Sequence, residues 1–292
     1  MTPKSEKLKG TLFMVSAILI LSPDALLISL ISVDPWTLVF WRGLLTSCTL
    51  AGALVFSQGR GVFKEGLRIG YAGVMSGVFF GASTISFVMS IRLTTAANTL
   101  VIVAATPLFA AIFTRIFLSE RVPRRTWIAV VAGFSGIIVI FSGSLTTGNI
   151  LGDLLALVTA MCMAANFVII RRYRQVSMIP AVVLSGILTA LITVFVTDPL
   201  SVGASDMLLL AVMGSIVMPV PLALMTVAPK LIPAAEVSLI MLLETFLGPL
   251  WVWLVISQRP AGETVLGGGV LVATLVVHAL VGLKDSGIGV SE

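Results

Sequence analysis

Asp24, Arg42 and Glu244 each stand inside a long apolar run, where an ionisable side chain is costly unless it has a partner or a water-filled space beside it. Glu244 is about ten residues from either end of its run, which at roughly 1.5 Å per residue places it near the middle of a bilayer. A carboxylate at that depth has two readings. It binds a substrate ammonium or carries a proton, or it is held by a hydrogen bond from a neighbouring helix. Asp24 and Arg42 lie at similar depths in the first two runs. They suit an ion pair between adjacent helices. The other reading makes them the outer end of a substrate pathway, with Arg42 meeting a carboxylate.

Gly73, Gly77 and Gly81 recur every fourth residue of the third run, a spacing that clears one helix face of side chains for close packing. Ser76, Phe79, Phe80 and Ser83 flank that stripe. They are candidate substrate-binding residues, because flat apolar walls with sparse hydroxyls suit an aromatic solute, although the same residues also serve as packing. Met218-Pro219-Val220-Pro221 interrupts the eighth run. Two prolines there remove helix hydrogen bonds and make Pro219 and Pro221 a candidate hinge.

Other chemistry is thinly supplied. His278 is the sole histidine and falls near the end of the last run, where interfacial packing accounts for it. Cys48 and Cys162 lie far apart in apolar runs and have neither disulfide nor metal spacing. No Gly-rich loop ends in Lys-Ser or Lys-Thr, so direct use of ATP is not expected. No catalytic residues, metal or cofactor follow from this inventory, and the chain does not read as an enzyme.

The elements that must position these residues are membrane helices. The chain is 58% hydrophobic and 11% charged, with a mean hydropathy of +1.13. Soluble domains run at about 45–50% and about 25%, so these charges are too few to cover a soluble fold. Ten segments are long and apolar enough to cross, approximately 11–32, 36–56, 67–90, 96–117, 126–141, 151–170, 180–196, 207–227, 234–256 and 265–282. Short connections make neighbours antiparallel. Alternate loops then hold Lys4, Lys7 and Lys9; Arg60, Lys64 and Arg68; Arg121, Arg124 and Arg125; Arg171, Arg172 and Arg174; Lys230; and Lys284. The opposite loops hold only Arg92 and Arg259 among basic residues. With positive loops inside, both termini are cytoplasmic.

The two halves of the chain also resemble one another. Thr95 to Arg121 aligns without a gap onto Pro233 to Arg259, 138 positions later. Val39, Gly43, Leu45 and Thr46 recur as Val182, Gly186, Leu188 and Thr189, and Asp24 corresponds to Asn166. Five crossings per half is an odd number, so the second half enters from the opposite side. Residues 1–147 and 148–292 are therefore expected to be inverted five-helix repeats, an architecture that places a substrate site where the halves meet.

Ala96-Ala97-Asn98, Ala105-Thr106-Pro107-Leu108-Phe109-Ala110, Ser119-Glu120-Arg121, Gly133 and Gly136 resemble the best-kept stretch of the drug/metabolite transporter superfamily, EamA type. Arg42, in Phe40-Trp41-Arg42-Gly43, matches that family's second-helix arginine, and Ala234-Ala235, Leu243-Glu244 and Ala165-Asn166-Phe167 match its second half. Asp24 departs from the family's usual Asn, Gln258 from its Glu, and Thr245 from the Pro that follows the Glu, which moves the expected bend to Pro249. The stretch from Leu242 to Trp253 is similar to the branch containing the bacterial exporter of aromatic amino acids and methyl viologen. The resemblance implies an all-α, multi-pass carrier of the bacterial inner membrane that exports small metabolites, amino acids including aromatic ones first among them. Drugs or other metabolites are the alternative cargo, and a channel-like facilitator the alternative mechanism. Its partners would be a small-molecule substrate and lipid, with no nucleic acid, and the chain would act as a monomer or weak homodimer.

Overall fold

The structure is a computed structural model that describes residues 3–58, 69–119, 123–173, 175–227, 231 and 234–288. Arg60, Lys64, Arg68, Glu120, Arg121, Arg174, Lys230 and Pro233 lie outside the described residues. The described residues form helices throughout: α1 (Pro3–Leu21), α2 (Asp24–Leu30), α3 (Pro35–Gln58), α4 (Gly70–Leu93), α5 (Ala96–Val103), α6 (Thr106–Phe117), α7 (Arg124–Thr147), α8 (Ile150–Arg172), α9 (Ile179–Thr193), α10 (Ala204–Val212), α11 (Pro219–Val227), α12 (Ala234–Ile256) and α13 (Gly262–Ile288). A π-helical turn, Met213–Val217, separates α10 from α11.

Eight of these helical stretches, some of them broken, are long and apolar enough to cross a membrane. Two further apolar helices, Ile179–Thr193 and the Ile240–Ile256 part of α12, are shorter. At 15 residues α9 reaches about 22 Å, less than the roughly 30 Å of a hydrocarbon core. Side chains facing outward are what lipid requires: Phe195 is 87% exposed, and Ile128 and Val131 are each 71% exposed. A water-soluble surface does not carry apolar area on this scale.

Two expected segments are broken rather than straight, and by the same device. Pro23 and Pro107 have no N–H to give to the carbonyls of Leu19 and Val103, four residues back. In each case the hydroxyl just before the proline supplies the bond instead. Ser22 Oγ donates to Leu19 O at 3.1 Å and Thr106 Oγ1 donates to Val103 O at 2.6 Å. Without water in the bilayer core, such a replacement lets a helix break without an orphaned carbonyl. The break at Pro23 puts Asp24 in the first turn of α2. By contrast, α12 runs as one helix through Pro249.

Small residues set the closest helix contacts. α3 packs on α9, α4 on α8 and α9, α7 on α13, and α1 on α11 and α12. A Cβ on Gly43 would lie 2.8 Å from Gly186 O, and one on Gly186 would strike Gly43 O and Ser47 Oγ. Gly136 and Gly267 stand in the same reciprocal relation between α7 and α13. Gly77 and Gly81 face the backbone of α9, at Ala181 O and Ser185 O. Two of the three stripe glycines are therefore packing positions. Gly186→Val is expected to lower the melting temperature of the purified protein, by an overpacking penalty of about 1–3 kcal/mol. Gly52→Ala, whose added methyl meets open space, should not lower it. Equal melting of the two variants would remove the close α3–α9 approach.

Candidate functional site

The expected pair forms. Arg42, from α3, grips Asp24 with both terminal nitrogens, Nη1 to Oδ1 at 2.5 Å and Nη2 to Oδ2 at 2.8 Å. Both residues are buried, Arg42 being 4% exposed. The bidentate geometry compensates for desolvating two charges, which a looser contact would not do. Two sulfurs also lie against the terminal nitrogens. Met218 Sδ is 3.0 Å from Nη2 and Met213 Sδ 3.5 Å from Nη1. The Phe87 ring lies beneath, 5.9 Å from the guanidinium carbon. The π turn before α11 is what brings both methionines to the same cation, because its extra residue per turn shifts the helix face.

Beside the pair lies a crevice of about 20 Å³, lined by Arg42, Gly43 and Thr46 of α3, Phe80 and Thr84 of α4, residues of α9 between Val182 and Thr189, and Met218. It is large enough for one or two waters. It lies at the crossing that Gly43 and Gly186 allow.

Glu244 joins this centre. α12 packs on α2, and the Glu244 carboxyl is within electrostatic reach of Asp24 and Arg42. It is half-buried, and no hydrogen-bond donor among the described residues meets it. The three ionisable residues singled out in the sequence thus share one neighbourhood, where the Asp24–Arg42 pair is neutral and Glu244 adds a carboxyl.

The other candidates separate. Phe80 reaches the crevice, whereas Phe79, half-buried, does not line it. Ser76 Oγ is 2.5 Å from Asn166 Oδ1 and ties α4 to α8. Ser83 turns back to Phe80 O of its own helix. Pro219 and Pro221, both buried, occupy the first turn of α11, where a missing N–H costs little. The interruption itself is the π turn ahead of them.

One buried constellation has no counterpart in the sequence reading. Asp153, 0% exposed, accepts from Thr94 Oγ1 at 2.8 Å, from Asn98 Nδ2 at 3.2 Å and from Ser144 Oγ. Thr264 Oγ1 closes the group on Asn98 Oδ1. Five helix ends, of α4, α5, α7, α8 and α13, meet there. In the sequence Asp153 is only an acid in the first turn of a helix, where acids are ordinary. Asn98 alone stands out, in the Ala96-Ala97-Asn98 motif.

Residues 8–142, which carry Asp24, Arg42, Thr46 and Phe80, match the EamA-like transporter family. Over this stretch the chain is similar to that family. Members of the EamA-like family are transporters rather than enzymes. No curated protein matches the chain. A solved chain described only as "Crystal structure of protein" is similar over 93% of this chain and 97% of its own, at 19% identity and a TM-score of 0.66. That likeness extends the fold, though not a function, across the half that carries Glu244. The central pair makes a direct test possible. Asp24→Ala leaves a buried guanidinium unpaired and is expected to cost about 3–5 kcal/mol. The Asp24→Leu, Arg42→Met double variant should melt higher than the single one. A single variant that melts like wild type would show that the pair is not buried.

Proposed function

We propose that the protein is a secondary carrier of the bacterial inner membrane that exports small metabolites, amino acids including aromatic ones, by alternating access about the centre formed by Asp24, Arg42 and Glu244. The observation that carries this reading is a half-buried carboxyl with no hydrogen-bond donor among the described residues, set beside an ion pair that already balances itself. An ionised Glu244 leaves the group with one uncompensated negative charge. A substrate ammonium or a transferable proton completes it. A structural carboxylate would have a donor.

The carrier reading includes ten crossings in two inverted repeats, residues 1–147 and 148–292, with both termini cytoplasmic. Three features support it. Helix partners exchange as such a repeat requires, since the third run packs on the sixth and the eighth on the first. Gly43 and Gly186, aligned by the self-comparison, touch each other across the crossing. The basic loops alternate. Rocking of one repeat on the other would pivot at the π turn and at Pro219 and Pro221, where intrahelical bonding is already interrupted.

Counterflow in proteoliposomes tests the carrier reading: internal unlabelled phenylalanine should accelerate entry of labelled phenylalanine, which a channel would not show. Glu244→Gln is expected to lower that rate at least roughly 10-fold, about 1.4 kcal/mol, with an unchanged melting temperature. A variant as fast as wild type removes Glu244 from the mechanism. A Pro219→Ala, Pro221→Ala double variant should bind phenylalanine normally and exchange it more slowly, and an undiminished rate would place the hinge elsewhere.

A further inference from the structure

Two buried polar atoms at the crevice between α3, α4 and α9 have no partner among the described residues: Nε of Arg42 and Oγ1 of Thr46. The residues are 4% and 6% exposed, so bulk water does not serve them. Leaving such groups unpaired is unfavourable, and native interiors seldom do so without a ligand or an ordered water. They stand four residues apart on α3, one helical turn, and so present to the same side.

The other hydroxyls around the crevice do have partners. Thr84 bonds Phe80 O, Ser185 bonds Val182 O, and Thr189 bonds Gly186 O, each within its own helix. Thr189 is the residue that the self-comparison aligns with Thr46. One threonine of the related pair is therefore satisfied and the other is not. Arg42 has committed both terminal nitrogens to Asp24, so its remaining N–H is a fixed donor. Thr46 adds a rotatable one.

We infer that Arg42 Nε and Thr46 Oγ1 are the two-donor subsite for the carboxylate of the transported solute, which makes that solute a zwitterionic amino acid. This rests on the carrier reading above. Two donors one turn apart match the two oxygens of a carboxylate. The crevice, about 20 Å³, admits a group of that size and leaves the rest of the solute outside it. A lone anion is disfavoured, because Asp24 and Glu244 both lie near Arg42. A zwitterion brings its own ammonium for Glu244 and avoids that repulsion.

The test is calorimetric titration of the purified full-length protein with three probes: phenylalanine, phenethylamine, which lacks the carboxylate, and phenylpropionate, which lacks the ammonium. Wild type should bind phenylalanine at least roughly 10-fold more tightly than either analogue. Thr46→Val should lose roughly 10-fold for phenylalanine and nothing for phenethylamine, and Thr46→Ser should restore it. Equal loss for both probes, or no loss for either, overturns the subsite and leaves the crevice to water. A wild type that binds phenethylamine as well as phenylalanine, or binds no probe, overturns it too. Failure of counterflow in a wild type that still shows the Thr46-dependent preference would sink the carrier reading alone and leave the subsite standing.

Discussion

A guanidinium in hydrocarbon surroundings has to be neutralised and hydrogen-bonded where it stands, and the centre of this protein is organised by that requirement at Arg42. Asp24 can meet it only because Pro23 ends α1 and restarts the chain as α2 with the carboxylate in its first turn. Met213 and Met218 reach the same cation only because the π turn between α10 and α11 shifts register. Phe87 of α4 covers the guanidinium face. Three separate stretches of chain thus converge on one side chain. Both departures from straight helix at the site, the break at Pro23 and the π turn, serve this cation.

The same dryness governs the backbone. A proline inside a membrane helix frees a carbonyl, and here Ser22 and Thr106 take over the bonds that Pro23 and Pro107 cannot make. Trp251 Nε1 then donates to Ser22 Oγ at 2.9 Å. That bond links the break in the first run to α12 two turns beyond Glu244. Satisfied breaks of this kind leave a helix bent and intact. They also place bends in the elements that carry Asp24 and pack on α12. The Asp153 group does comparable work where five helix ends meet, with neutral donors from three of them holding one carboxylate.

The close approach of α3 and α9 ties this chemistry to the packing of the bundle. With glycine on both sides of the crossing, backbone meets backbone, and the residues just beyond, Thr46 and Thr189, border a narrow space instead of filling it. A larger residue at either glycine would push the helices apart. The crevice, the ion pair and the contact between early and late segments therefore stand or fall together.

Much of this was legible in the sequence, and some was not. Asp24, Arg42 and Glu244 were visible because a charge in an apolar run is rare for a physical reason, and the similar depths of Asp24 and Arg42 already pointed to a pair. The helical segments, their approximate ends and the glycine packing positions were visible because the bilayer imposes a length and close packing imposes small residues. Ser76 and Ser83 were not readable as donors to Asn166 and to a backbone carbonyl, because a hydroxyl's partner depends on how neighbouring helices rotate. Asp153 resembled an ordinary helix-start acid until five helix ends closed around it. By itself, then, the sequence determined which residues lie at membrane depth, since burial in lipid is a property of each segment alone. Which polar atoms are satisfied and which, like Arg42 Nε and Thr46 Oγ1, are left open was decided only by the tertiary structure, because hydrogen bonds between helices depend on rotations and breaks that no single segment contains.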